Sequence, residues 1–253
     1  MAIKILLLDI ETAPNKAYVW GLFDQNIAIN QIETAGYVLC WSAKWLDQKD
    51  LIFSSAHHDG EKRMLFKIRK LLDEADAVVH YNGKKFDIPT LNKEFILQGF
   101  PPPSPFHQID LYRVARSNFK FASNRLDYVA KSLGLGNKVA HKGMELWKGC
   151  MDGDAESWKV MEAYNRQDVV LLERVYYKML PWIKNHPNHG LYDKDPTLVC
   201  PNCGSKHYQK RGYSYTKSQK YVRFQCQADG CHAWFRSNLA ENKRGSSKLI
   251  GAA

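Results

Sequence analysis

The stretch Leu6-Leu7-Leu8-Asp9-Ile10-Glu11-Thr12 decides how the rest of the chain is read. As a strand, its period-two alternation places Leu7, Asp9 and Glu11 on one face and Leu6, Leu8 and Ile10 on the other, so two carboxylates close one side of a hydrophobic run. Their β-carbons are expected roughly 6 to 7 Å apart. Like charges at that spacing beside a core repel each other unless a cation neutralises them, and a metal ion is the simplest such cation. Acids that merely end a strand at the surface fit the same residues, and the choice falls to the rest of the chain.

Outward from this strand, Thr12 to Thr34 reads as a long irregular connection with Tyr18, Trp20 and Phe23 exposed. Gly36 to Trp45 and Asp50 to Ser55 read as strands that complete an antiparallel meander. Met64, Leu65, Ile68, Leu71 and Leu72 have helical spacing within 61–75. Ala77 to Tyr81 is a buried-type strand, followed by an Asn82-Gly83 turn and a helix through Ile88, Leu91, Phe95 and Ile96 to Gly99. Beyond a proline-rich connector, Gln108 to Asp110 reads as a last strand. Asn124 is expected to cap a helix over Leu126, Val129, Ala130 and Leu133. Asp154 is expected to cap another that continues or bends through Asp168 and Val175 to Pro181. A meander followed by alternating helices and strands predicts a mixed α/β sheet flanked by helices.

With 253 residues and 45% hydrophobic content, the chain has room for one domain of ordinary size and a small one. The opening Met1-Ala2-Ile3-Lys4 lacks a signal-peptide pattern, and no apolar run approaches ~18 residues, so the expectation is an intracellular, cytoplasmic protein without a membrane segment. Of the net charge of +10, the stretch from Lys194 onward carries +8, with eleven Lys or Arg against three Asp or Glu. A basic C-terminal quarter points to a polyanion partner such as nucleic acid.

That quarter also holds four of the six cysteines, as Cys200-x2-Cys203 and Cys226-x4-Cys231 around a 22-residue excursion. The pattern resembles a zinc ribbon, with four thiolates around one structural Zn²⁺ and a β-hairpin between the knuckles; His207 or His232 is an alternative ligand. Within the excursion, Lys210, Arg211 and Arg223 interleave with Tyr213 and Tyr215, a composition suited to gripping single strands by phosphate attraction and base stacking. A protein-docking ribbon is the alternative. The expected layout is a larger domain over 1–185, a linker over 186–196, a ribbon over 197–237 and a basic, disordered tail over 238–253.

Two more segments carry acids at suggestive places. In Tyr81-Asn82-Gly83-Lys84-Lys85-Phe86-Asp87 a strand ends in a turn with an acid at the start of a helix, and in Tyr164-Asn165-Arg166-Gln167-Asp168 the (i, i+4) spacing puts a phenol and a carboxylate on one helical face. Together LLLDIET (6–12), HYNGKKFDIPTL (80–91) and AYNRQDVVLL (163–172) resemble the three exonuclease motifs of the DEDD superfamily on the ribonuclease H-like fold, over roughly residues 1 to 185. The tyrosine four residues before the last acid resembles the DEDDy branch, and the wording is similar to the proofreading domain of family-B DNA polymerases.

That resemblance implies a five-stranded ribonuclease H-like sheet. It also implies Asp9, Glu11, Asp87 and Asp168 as ligands of two Mg²⁺ or Mn²⁺, and Tyr164 as the residue that orients the attacking water. The implied activity is 3′-to-5′ hydrolysis of nucleic acid, DNA favoured, at a single strand or 3′ end, with release of nucleoside 5′-monophosphates. Thr12, Asn82 and Phe86 are implied substrate contacts. Asp110 and Glu145 are rival acids. The competing functions are an exoribonuclease, a structure-selective endonuclease on the same fold and a non-catalytic nucleic-acid-binding adaptor.

Overall fold

The computed structural model describes residues 3–140, 142–192 and 198–241. Its chain divides into two compact units, Lys4–Val175 and a C-terminal unit that begins at Tyr176.

In the first unit the elements follow in order: β1 (Ile5–Thr12), β2 (Lys16–Ala17), β3 (Ile32–Thr34), β4 (Val38–Trp45), β5 (Leu51–Ser55), α1 (Ala56–Asp59), α2 (Glu61–Glu74), β6 (Ala77–His80), α3 (Asp87–Leu97), β7 (His107–Asp110), α4 (Leu111–Asn118), α5 (Leu126–Ser132), α6 (Met144–Met151) and α7 (Ala155–Met179). The five-stranded sheet runs β5-β4-β1-β6-β7. β1 pairs antiparallel with β4 and β4 with β5, whereas β1 pairs parallel with β6 and β6 with β7. This is the expected mixed sheet, with the meander on one side of β1 and the parallel strands on the other.

β1 is central because both of its faces are covered. Leu6, Leu8 and Ile10 pack into a core with Met64, Leu65 and Ile68 of α2 and Leu91 and Phe95 of α3. The other sheet face contributes Leu39 and Cys40 to a second core with Leu146 and Cys150 of α6 and Trp158, Met161 and Tyr164 of α7. Each fully buried leucine contributes about 1.5–3 kcal/mol. Helices on both faces therefore fix the strand whose end carries Asp9 and Glu11. A bulge between Glu11 and Thr12 in the β1–β4 pairing turns the chain away at that point.

Several elements differ from expectation. The 12–34 connection contains the short β2–β3 ribbon, too brief for any periodicity to reveal. α7 is one unbroken helix of 25 residues; Asp154 caps it by accepting from the Ser157 N–H at 2.8 Å. Asn124 does not cap α5. Arg125 holds that position without a side-chain cap, and the Asn124 carbonyl instead accepts from the Tyr81 hydroxyl at 2.8 Å.

The C-terminal unit contains β8 (Tyr208–Tyr215), β9 (Lys220–Cys226) and β10 (Trp234–Ala240), an antiparallel sheet in the order β10-β9-β8. Asn202 Nδ2 donates to the carbonyls of Leu180 and Ile183, at 2.9 and 3.2 Å, so the turn after α7 is tied into this unit. β10 runs to Ala240, three residues into the stretch expected as a disordered tail, because its backbone is needed to pair with β9. The rest of that expectation, from residue 242, and part of the 186–196 linker lie outside the described residues. No helix among the described residues is long and apolar enough to cross a membrane.

Candidate functional site

Asp9 and Glu11 leave β1 on the face opposite Leu6, Leu8 and Ile10, and Asp168 reaches them from α7. One carboxylate oxygen from each lies within 4.8 Å of the other two. Asp87, at the start of α3, is outside that group of three but close enough for its charge to act on Asp9. A backbone hydrogen bond from Ile10 holds Asp87 to β1. All four acids of the sequence reading are thus brought to one end of one strand. Of the rival acids, Glu145 is exposed on α6, and Asp110 is taken up by a structural network described below.

The electrostatics show how poorly these charges are compensated. Burial, then the neighbouring charges of Asp168, Glu11 and Asp87, push Asp9 well above the usual carboxylate range. Burial and then Asp168 raise Glu11 to about 8, and burial raises Asp87 to about 7 against the hydrogen bonds that favour its charge. Burial also raises Asp168, whose Oδ1 is buried without a hydrogen-bond partner. Clustered hard oxygen donors that protonate for want of a counter-charge fit a divalent cation such as Mg²⁺ or Mn²⁺.

Two residues that the sequence reading missed complete the cluster. Lys138 Nζ makes a short ion pair with Asp168 and donates to the Tyr164 hydroxyl at 3.1 Å, with its charge 5.0 Å from the Tyr164 ring centroid. Burial works against this ammonium, yet Asp168 and Tyr164 hold its pKa above the usual lysine value. Asn165, fully buried, donates to Asp9 Oδ2 at 2.8 Å and fixes that carboxylate's rotamer. Tyr164 packs edge-on against Trp147, and burial followed by the Asp168 charge pushes its hydroxyl up to about 12, so it stays protonated at neutral pH.

A family model described as the RNase_H superfamily matches residues 6–180, most of the chain and all of these acids. The chain belongs to the RNase H superfamily. Its structure is similar to that of the family B DNA polymerase from the hyperthermophilic archaeon Pyrobaculum calidifontis, at 15% sequence identity and a TM-score of 0.51, over 88% of this chain and 33% of that one. The likeness is one of fold, and the chain spans about a third of the polymerase's length. No curated protein matches it.

In this RNase H domain the turn before Asp87 is held from below. Asn82 has a left-handed backbone, φ 68°, and its N–H donates to Asp110 Oδ1 at 2.9 Å, the same oxygen that accepts from Tyr112 N at the start of α4. The Gly83 N–H donates to His80 Nδ1 at 3.1 Å, which makes Nδ1 an acceptor and leaves the ring proton on Nε2, facing Gln108 Oε1 at 3.2 Å. His80 is fully buried, and burial keeps it neutral. Asp110 is therefore a support for the turn.

Beside the carboxylates opens a cleft of about 450 Å³ whose lining includes Asp9, Asn82, Lys138 and Tyr164, together with Tyr81, Tyr112 and Arg125. Asn82 is where the sequence reading put a substrate contact. Thr12 sits at the bulge that ends β1, and Phe86 is 46% exposed just before Asp87; neither lines this cleft. Arg125 was missed because nothing in its neighbourhood marks it.

The four cysteines of the C-terminal unit converge, their sulfurs all within 4.8 Å of one another. Cys200 Sγ is 3.8 Å from Cys231 Sγ and Cys203 Sγ is 3.6 Å from Cys226 Sγ. These separations far exceed a disulfide bond, about 2.05 Å. They match the edge of a thiolate tetrahedron, about 3.8 Å for metal–sulfur bonds of about 2.3 Å. The Ala228 N–H points at Cys226 Sγ, 3.4 Å away. The cluster can hold a tetrahedral metal ion without either histidine. The sequence-selected contacts divide across the sheet. Strand register puts Lys210, Tyr213 and Tyr215 on one face with Phe224, and Arg223 on the other.

Proposed function

We propose that the chain is a metal-dependent 3′-to-5′ exonuclease that hydrolyses phosphodiester bonds of nucleic acid, DNA favoured, with a structural zinc in its C-terminal cysteine cluster. The observation that carries this reading is the convergence of Asp9, Glu11 and Asp168 with buried Asp87 and the Tyr164 hydroxyl at the edge of a cleft. Divalent cations held by the four carboxylates would supply Lewis-acid activation of water and stabilisation of the leaving oxygen. The polarity rests on the DEDDy pattern of Tyr164 and Asp168, and DNA is favoured because the solved structure of similar fold is a DNA polymerase.

The chain's own groups have separable tasks. Asn165 holds Asp9 in one rotamer. Tyr164, protonated near neutral pH and partnered by Lys138 and Asp168, orients a water without acting as its base. Asn82, presented by its left-handed backbone, and Arg125 at the rim supply an amide and a cation to a strand end in the cleft. The cysteine module is the proposed strand-binding partner of this site, with Zn²⁺ serving fold rather than chemistry.

The test is a time course on 5′-labelled and 3′-labelled single strands of DNA and RNA with Mg²⁺, Mn²⁺ or EDTA, for the wild type and Asp9→Asn. A metal-dependent ladder from the 5′ label with immediate mononucleotide from the 3′ label, both lost in the variant, is the expected result. Cleavage of a circular strand would replace the exonuclease by an endonuclease. Binding without any cleavage would leave an adaptor.

A further inference from the structure

The strands of the C-terminal unit place two arginines directly opposite each other. Arg236 of β10 is the register partner of Arg223 of β9, on the face that also carries Gln225 and Trp234. Residues so paired have β-carbons about 4.5–5.5 Å apart, and like charges there destabilise the sheet. Among the described residues no carboxylate lies within ion-pair distance of either. Arg223 Nε donates to the Arg211 carbonyl at 3.0 Å, and Arg236 Nη1 to the Ser237 carbonyl at 3.3 Å. Each guanidinium lies over a ring instead, Arg223 4.9 Å from the Trp234 centroid and Arg236 3.8 Å from the Tyr221 centroid. Both arginines are exposed, and Trp234 is 54% exposed.

Part of the opposite face is taken up by its own contacts. Lys220 lies 3.5 Å from Glu241 and 3.6 Å from the Tyr213 centroid, and the Tyr213 hydroxyl donates to the same glutamate at 3.2 Å. Tyr208, Phe224 and Phe235 pack ring on ring beside them. On that face Lys220 is thus paired and these rings pack on one another, with Lys210 and Tyr215 exposed beyond them, while the other face holds two guanidiniums with no carboxylate partner among the described residues beside an exposed indole.

We propose that the face carrying Arg223, Arg236 and Trp234 is the seat of a single nucleic-acid strand, the arginines taking backbone phosphates and Trp234 a base. The inference rests on the reading of the chain as a nuclease and names the surface that grips its substrate. A guanidinium fork matches phosphate geometry and needs no surrender of its ring contact, since stacking uses the face and hydrogen bonding the edge. Base–aromatic stacking accepts any base, as a sequence-indifferent nuclease requires. An acidic peptide would answer the arginines but leave the indole idle.

The test is fluorescence anisotropy of a labelled dT 20-mer with the full chain, zinc-loaded and without added Mg²⁺ or Mn²⁺, across a salt series. Arg223→Gln/Arg236→Gln is expected to weaken binding about 10-fold or more and to lower the slope of log K against log salt by about 1.4, two phosphates at about 0.7 each on a single strand. Trp234→Ala is expected to cost about 10-fold at unchanged slope. Lys220→Gln, on the opposite face, should change affinity less than 3-fold. Zinc content is measured for every variant. If the glutamine pair loses zinc, Arg223→Lys/Arg236→Lys decides, with the slope kept and the affinity reduced. Wild-type affinity and slope in the arginine variants, an equal loss from the opposite-face variant, or equal competition by a poly-glutamate peptide would each overturn the proposal while leaving the nuclease reading in place. Failure of the wild type to bind the strand would overturn the proposal, and the labelled-strand time course would then decide the nuclease reading separately.

Discussion

Glu11→Gln should make the protein more stable and less active at once. Glu11 ordinarily titrates near 4.5 and is raised to about 8 in the folded chain, by burial and then by Asp168. Between those pH values the folded protein holds a proton that the unfolded chain has released. Stability without divalent cations therefore falls as pH rises from about 4.5 to 8, by about 1.4 kcal/mol per pH unit, and levels off above 8. At pH 7 the accumulated loss is about 3 kcal/mol. Glutamine has the same shape and does not titrate, so it removes that loss and flattens this part of the pH profile. For a unit of this size about 3 kcal/mol is roughly 6–12 °C in Tm.

Divalent cations should act in the opposite sense. In the wild type, Mn²⁺ at about 100 times its dissociation constant adds about 2.7 kcal/mol, because the ion displaces the proton and relieves the repulsion; in the variant this gain shrinks. Hydrolysis should fall by about 10³-fold or more, since one of the oxygen ligands that support a cation's charge stabilisation is gone. The assay is thermal melting of the full, zinc-loaded chain from pH 5 to pH 9, with and without Mn²⁺, beside the labelled-strand time course. A variant less stable than wild type at pH 7, with a parallel pH profile and an undiminished Mn²⁺ response, would refute the reasoning.

Tyr164→Phe keeps the ring against Trp147 and removes only the hydroxyl, so kcat should drop about 10- to 10²-fold with KM little changed in steady-state hydrolysis. Gly83→Ala should destabilise by about 1–3 kcal/mol in urea unfolding and lower activity as well, because an added β-carbon would meet His80 Cγ at 2.5 Å in a fully buried ring that cannot yield without moving the turn that leads to Asp87. Cys226→Ser should release the zinc and open the C-terminal unit to protease, as metal titration and limited proteolysis would show, while dinucleotide hydrolysis at the carboxylates persists.

The sequence by itself determined what local periodicity can express. The two-residue period of Leu6 to Glu11 put the acids on one face of a strand, and the spacing around Leu65, Leu91 and Leu171 gave the main helices. The Cys-x2-Cys and Cys-x4-Cys knuckles are local loops whose ligands must lie close in space. The four acids were legible because each stands in a short motif. Lys138 and Asn165 were not legible, since what they do depends on partners 30 and 156 positions away. A lysine in a glycine-rich loop and an asparagine in a helix carry no sign of them.

Only the tertiary structure decided that Asp110 supports a turn, because its carboxylate meets the Asn82 N–H through the parallel pairing of β6 and β7. It also divided the ribbon's basic and aromatic residues. Composition grouped Lys210, Arg211, Tyr213, Tyr215 and Arg223 together, but a strand has two faces and its register sorts side chains between them. Trp234 and Arg236 join Arg223 through pairing with a strand that lies beyond the second cysteine knuckle, a long-range contact that no local pattern encodes.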